Sequence, residues 1–444
     1  MELRDLIVTP IVLFIVYALA YIVRPWVTDE INRKYFFLGL TAKIIGALAL
    51  GFVYQFYYEG GDTYNFHTHG SRHVWEAFWD SSTAGVKLLF SNGDDEIGIY
   101  KYSSRIPFFR DASSYTVIRI ATIFDFLTFS TYSATAVCFG AMSFVGGWML
   151  FKTFYVDYKH LAGRIAMATL FIPSVIFWGS GLLKDTVVLT CLGIATYYLW
   201  QMITKHRIRI TYIICVLVSL YLIYSIKKYV LLCYLPSIFL MLSARTFVSI
   251  RNIFLRLMML PFMGVIVAVS LYLIVDQIGK DDKRYSLAQL GNTAKITAYD
   301  IALQTGRDAG STYFLGELDG TFQSLMLLSP EAINVALFRP YLWEVTNPLM
   351  LMSALESLGF LLLTFYVVFK SRSGLFKSLS RPDVLFCLVF SIIFAFAVGV
   401  STYNFGSLSR YKIPLMPFYL LALIFIYDQR NKERNVELLA RTEN

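Results

Sequence analysis

The sequence predicts an all-α protein, a polytopic membrane helix bundle with about eleven transmembrane helices. Three observations predict it. Of 444 residues, 57% are hydrophobic and only 16% charged, where a soluble protein carries about 25% charged residues. Mean hydropathy is +0.58. Apolar stretches of about 20 residues, the length that crosses a bilayer as a helix, recur from one end of the chain to the other. This composition excludes a soluble enzyme, a disordered chain and a nucleic-acid-binding domain. The balance of 39 basic to 30 acidic residues (+9) is therefore no nucleic-acid footprint.

Taken in order, the spans fall roughly at 6–23, 36–58, 131–151, 163–178, 186–203, 210–225, 228–244, 254–276, 349–369, 383–402 and 412–427. Ala18-Leu19-Ala20 is like a signal-peptidase site. Met1-Glu2-Leu3-Arg4-Asp5 has no positive excess, however, and Tyr21-Ile22-Val23 continues the apolar run, so the stretch reads as a span. The first long loop, 59–130, is expected to carry interfacial helices, with Trp75, Phe78 and Trp79 as anchors at headgroup level. From Ser113 to Ser130, Thr116, Arg119, Thr122, Asp125 and Thr128 recur every third residue among apolar neighbours. That pattern suggests an amphipathic helix lying in the interface. A second long loop, 277–348, precedes the last three spans. The chain reads as one membrane domain, 1–444, without internal repeat or low-complexity tract. Cys138, Cys191, Cys215, Cys233 and Cys387 all fall in predicted spans, as small core residues and not as a disulfide framework.

The basic residues set the orientation. With the N-terminus outside, the cytoplasmic loops are 24–35, 152–164, 204–209, 245–256, 370–381 and 428–444, and they hold 20 of the 39 Lys/Arg in about 72 residues. The opposite side holds 17 in about 154 residues. Basic density is roughly 2.5-fold higher on the first side, as the positive-inside rule requires.

With that parity, the unusual residues collect on the extracytoplasmic side. Glu59-Gly60-Gly61-Asp62 follows the second span. The Gly-Gly pair frees the backbone there and presents Asp62 at the lip of the bundle. A carboxylate in that place acts as a general base towards a hydroxyl or simply caps a helix-end turn. His69 and His73 are four apart, a spacing for two metal ligands on one helix face. With Asp62 and His67 nearby, it fits either a divalent metal or the polar face of an interfacial helix. No other cofactor is implied, and the absence of GxxxxGK[ST] argues against an ATP-driven mechanism.

Pro173 to Asp185 forms a tight outer turn ending in Lys184 and Asp185. Ionisable residues at membrane depth are costly and commonly functional, although a Lys–Asp pair closing a hairpin explains them as well. Lys227 and Lys228 occupy a second tight turn on the side that the charge rule disfavours, which suits a phosphate partner or plain surface exposure. Arg339 and Glu344 lie in the run before the ninth span, which carries Glu356 as an intramembrane carboxylate, read as a site or as a partner of Lys43. Arg410, Tyr411 and Lys412 stand at the entrance to the last span, before Pro414 and Pro417. A guanidinium at that depth docks a lipid phosphate or snorkels to the interface.

This layout resembles the GT-C class of integral-membrane glycosyltransferases. The resemblance implies an outward-facing base at Asp62, a second acid at Asp185, and Arg410-Tyr411 near the end of the chain as the group that meets a lipid-linked donor. The stretches PSVIFWGSGLLKD, LFRPYLWE and NFGSLSRYK are also similar to poorly characterised bacterial multi-spanning proteins described as glycosyltransferase- or polysaccharide-polymerase-like. An extra span before Asp62 departs from the class. The expectation is sugar transfer from a polyprenyl-phosphate or polyprenyl-diphosphate donor to a glycan, lipid or protein acceptor, at the extracytoplasmic face of a bacterial cytoplasmic membrane. A polysaccharide polymerase or ligase using the same donors, and a transporter or flippase of lipid-linked sugars, are the alternatives. Nucleic acid is not an expected partner.

Overall fold

The structure, a computed structural model, describes residues 3–94, 96–249, 289–304, 311–316, 321–371, 378 and 381–442. The described residues are helical apart from turns and an isolated bridge between Thr312 and Asn404. The protein is a multi-pass membrane protein. Among the described residues, seven helices are long and apolar enough to cross a bilayer, or eight counting one bent pair. Of the other predicted spans, 210–225 is a 17-residue apolar helix, 163–178 is broken, and 254–276 lies outside the described residues. Although the sequence reads as one membrane domain, contacts gather the chain into two compact units, Met1–Lys227 and Lys228–Asn444.

Unit 1 holds α1 (Leu3–Val27), α2 (Arg33–Phe56), α3 (Asp62–Phe66), a π-helical turn (His67–Ser71), α4 (Arg72–Asp80), α5 (Ser82–Phe90), α6 (Tyr100–Ser103), α7 (Ala112–Thr128), α8 (Tyr132–Tyr155), α9 (Ala162–Leu170), α10 (Pro173–Phe177), α11 (Lys184–Thr204) and α12 (Ile210–Ile226). Helix α8 is its centre and packs against α1, α2, α9 and α11. Apolar association is weak between helices in lipid, so close backbone approach carries the packing. A Cβ on Gly193 would lie 2.1 Å from the Gly146 carbonyl oxygen, which ties α11 to α8.

The fourth crossing is made of pieces. Gly163 lies against Tyr35, Leu170 against Gly39, Ile176 against Gly46, and Gly181 against Leu50. The stretch from α9 to Gly181 thus climbs the whole of α2, broken at Phe171-Ile172 where Pro173 cannot continue a helix.

Helix α7 departs from the expected interfacial helix. Thr116, Thr122, Asp125 and Thr128 are buried, whereas Ile123 (59% exposed) and Leu127 (69%) face outward. In water the polar stripe would point out. Here it points in because its partners are protein groups: Arg119 donates to the Leu89 and Ser91 carbonyls, and Thr135 donates to Asp125. Helix α4 does carry paired aromatics, Trp75 and Trp79, in an edge-to-face contact at 5.8 Å, with Trp79 exposed.

Unit 2 holds α13 (Lys228–Ser249), α14 (Leu290–Gln304), α15 (Phe322–Leu327), α16 (Ser329–Phe338), α17 (Pro348–Lys370), α18 (Pro382–Thr402), α19 (Phe405–Tyr411) and α20 (Met416–Thr442). Helix α18 is central, packed against α13, α14, α16 and α20. Helices α19 and α20 form the bent pair, at 66°.

Gly46→Ala tests the broken crossing. Its Cβ would fall 2.1 Å from the Ile176 carbonyl oxygen, so overpacking is expected to cost about 1–3 kcal/mol, read as a lower unfolding midpoint in detergent. Gly359→Ala in α17, with nothing within 4 Å of the new atom, is the control and is expected to be neutral or to stabilise by up to about 1 kcal/mol.

Candidate functional site

Asp62 owes its place to three residues of positive φ. Glu59, Gly60 and Gly61 have φ of 54°, 139° and 116°, and they fold the chain back from the end of α2. Gly61 has no room for a side chain, since a Cβ would lie 2.9 Å from the Tyr54 ring. Asp62 then opens α3, half-buried. The short helix is fastened on two sides. Thr63 Oγ1 and the Tyr132 hydroxyl are 2.7 Å apart, and the Tyr64 hydroxyl donates to Gln55 Oε1 at 3.0 Å.

Lys184 and Asp185 are adjacent, but they do not close on one another. Lys184 Nζ reaches Asp111 Oδ2 at 3.1 Å and Ser113 Oγ at 2.7 Å. Asp185, with no exposed surface, pairs with Lys227. Asp111 caps α7 by accepting from the Ser113 N–H at 3.1 Å. Burial pushes its carboxyl up, but the Ser114 hydroxyl, the Lys184 ammonium and Ser113 outweigh that and hold it down at about 2. Asp62 belongs to the same electrostatic neighbourhood: its charge acts on Lys184, together with those of Asp111 and Lys227. One end of unit 1 therefore gathers three carboxylates (Asp62, Asp111, Asp185) and two ammonium groups (Lys184, Lys227).

The turn that delivers Lys184 and Asp185 is pinned from beneath. Residues Gly179 to Leu183 are buried, so their carbonyls need donors inside the protein. Ser143 of α8 donates to the Gly179 oxygen at 2.5 Å, and Thr186 to the Gly181 oxygen at 2.5 Å. Lys43, wholly buried in the middle of α2, donates to the Val175 oxygen at 2.9 Å. That carbonyl belongs to the last turn of α10, where intrahelical partners run out. Lys43 thus serves the broken crossing.

In unit 2 the two remaining motifs meet. Arg339 and Glu344 form an ion pair, and Glu344 also accepts from the Tyr341 N–H at 2.7 Å. The Arg339 guanidinium lies 5.3–5.8 Å from the centres of the Phe405, Tyr313 and Tyr341 rings. Lys412, expected at the outer entrance of the last span, is instead buried (2% exposed) at the α19–α20 bend. It donates to Ser357 Oγ at 2.9 Å and to the Arg339 oxygen at 3.2 Å. The charge of Glu356 acts on it, and Ser353 and Ser409 meet at 2.8 Å. Arg410 is half-buried, with its guanidinium 5.9 Å from the Tyr411 ring centre. Lys228 opens α13 in this unit.

The metal reading of His69 and His73 finds no support in the geometry. No group of three or more His, Cys, Asp or Glu among the described residues is placed to hold a metal ion. The π turn contains His69 and breaks the four-residue register, and His73 Nδ1 is 3.1 Å from Glu76. The five cysteines are free thiols. Sequence reading missed Asp111, Ser113, Ser143 and Ser357, and gave Lys43 only as a partner of Glu356. Only Asp111 carried a signal, since Asp111-Ala112-Ser113 before an apolar run is an N-cap pattern.

The two ion pairs predict different losses. Lys227→Met takes the cation from a carboxylate of zero exposure and is expected to cost about 3–5 kcal/mol. Lys184→Met faces an acid that is 49% exposed and is expected to cost about 0–1 kcal/mol. Thermal unfolding of the two variants in detergent checks the difference. Because the Asp111 pKa is depressed from 3.8 to about 2, its contribution is complete above pH 3.8 and disappears as pH falls through about 2. Unfolding midpoints of wild type and Asp111→Asn are expected to converge across that window. No protein family, characterised protein or solved structure matches this chain.

Proposed function

We propose that the protein is a GT-C-like glycosyltransferase of the bacterial cytoplasmic membrane. It moves a sugar from a polyprenyl-phosphate or polyprenyl-diphosphate donor to an acceptor hydroxyl at the extracytoplasmic face. The observation that carries this reading is the gathering of Asp62, Asp111, Asp185, Lys184 and Lys227 at one end of unit 1. The Lys/Arg distribution supports an outward orientation for that end.

The burial of each group supports the following roles. Asp62 is half-buried and stands on a fastened helix, so it takes the acceptor proton. The acceptor oxygen forms the new bond to the anomeric carbon with inversion, the bond from that carbon to the phosphate oxygen breaks, and its electron pair leaves with the lipid phosphate. Lys184 holds that phosphate, because its partner Asp111 is half exposed and an anion exchanges with it at little cost. Lys227 is locked against buried Asp185, so that pair serves as framework for the site. A polymerase or ligase would use the same groups, and a ladder of products separates it from a single transfer. One observation favours transport of lipid-linked sugars as a second reading: each unit contains a broken crossing, α9–α10 and α19–α20, the kind of element that lines transporter sites. Uptake of a labelled lipid-linked sugar into proteoliposomes without turnover would establish it.

Asp62→Asn, reconstituted in membranes with a polyprenyl-phosphate-linked hexose as donor, is expected to lower transfer roughly 10²–10⁴-fold at unchanged expression and melting temperature. Full transfer by that variant sinks the assignment.

A further inference from the structure

Beneath Asp62 lies a buried polar centre that the proposed chemistry does not use. His67, the first residue of the π turn, has no exposed surface, and its Nε2 is 3.3 Å from Oδ1 of Asp125, which is equally buried. The same Oδ1 accepts from Thr135 Oγ1 at 2.9 Å, and Thr135 meets Thr128 at 2.7 Å. The backbone oxygen of Asp125 accepts from the N–H groups of Phe129 and Ser130, two consecutive non-glycine residues of positive φ, 51° and 49°. Asp125 thus fastens three things at once: the π turn, the strained α7–α8 turn, and α8. Both a π-helical turn and a strained turn are features that concentrate at functional sites. The buried atoms His67 Nδ1 and Nε2, Asp125 Oδ2, Ser71 Oγ, Ser130 Oγ and Thr131 Oγ1 have no hydrogen-bond partner within the protein, so His67 and Asp125 meet as an ion-pair contact and not through a formed hydrogen bond. An apolar contact would have fastened these elements without that cost.

We infer that His67 and Asp125 are the positioning pair for Asp62. The inference rests on Asp62 as the base of the proposed transfer. Asp62 to Asp80 is one unbroken helical run, α3 to α4 through the π turn, with Asp62 five residues before His67. Thr63 and Tyr64 fasten the first turn of that run to α8 and α2. The His67–Asp125 contact fastens the next turn to α7. With three attachments to three helices, the backbone that carries Asp62 is held in one place. The other charged groups on neighbouring elements are engaged elsewhere: Arg72 Nη2 donates to the Ser130 oxygen, Arg119 to two backbone oxygens, His73 faces Glu76, and Asp5 accepts from Ser133 N–H.

The test uses the full chain in lipid nanodiscs and reads amide exchange over 62–71 beside kinetics with a polyprenyl-phosphate-linked hexose. In Asp125→Asn, a carboxamide oxygen still accepts from Thr135 and keeps its place beside His67 Nε2, so exchange and kcat are expected to stay within about threefold of wild type. The double variant His67→Leu/Asp125→Leu replaces the pair with apolar side chains of related volume and is expected to stay folded. Its exchange over 62–71 is expected to rise about tenfold, and kcat to fall roughly 100-fold with donor KM unchanged. Wild-type exchange and kcat in the double variant, or a collapse of Asp125→Asn to the same level, would overturn the inference. The exchange measurement needs no turnover. If wild type shows no Asp62-dependent transfer while the double variant still loosens 62–71, the glycosyltransferase reading fails and the docking of α3 by His67 and Asp125 stands.

Discussion

A backbone carbonyl released inside a bilayer has no water to turn to, and it must find a donor in the protein. This constraint explains the main departures of the structure from plain crossing helices. In unit 1 the crossing made by α9 and α10 is interrupted, and the carbonyls released there are taken by Lys43, Ser143 and Thr186. Unit 2 repeats the solution at its own bend, where Lys412 and Ser357 both donate to the Arg339 oxygen and Ser391 donates to the Leu415 oxygen. A lysine suits this task because its stem crosses apolar packing while its ammonium brings three donors to one point.

The same constraint builds the candidate site. Once the turn Gly179 to Leu183 is pinned from below, Lys184 and Asp185 emerge on successive positions of a new helix and diverge. One reaches the cap of α7 and the other a lysine 42 residues on. Burial then separates their duties. A charge pair with one wholly buried member cannot be opened without stranding a charge, so Asp185 and Lys227 are framework. A pair whose acid is half in solvent exchanges partners cheaply, and so Lys184 is the cation left for a ligand.

What was legible in the sequence follows from the range of each interaction. Long apolar runs and the Gly60-Gly61 turn are local signals, and they located most spans and the turn that precedes Asp62. Pro173 was a local signal as well, but the apolar run on both sides of it concealed the break. Pairings were not legible, because Asp111 lies 73 residues from Lys184 and Val175 lies 132 residues from Lys43. The stripe on α7 shows a subtler failure. Period and polarity were read rightly, yet the direction was not, since a polar stripe faces water beside a soluble core and faces protein beside lipid. Lys412 failed for a related reason: nearness in sequence to a span end says nothing of a 66° bend.

The direction of α7 also bears on the choice between chemistry and transport. A through-pathway needs polar groups available along the depth of the bundle. In unit 1, Lys43, Ser143 and Thr190 within the crossing helices are spent on backbone oxygens. The stripe of α7 is likewise spent inside the protein, with Arg119 on two backbone oxygens and Asp125 on Thr135. The pair open to solvent, Lys184 with the half-exposed Asp111, lies instead at the end of unit 1 that carries Asp62. Polar groups engaged along the helices and a solvent-facing charge pair at one end argue for a site opening at a membrane face more than for a through-pathway.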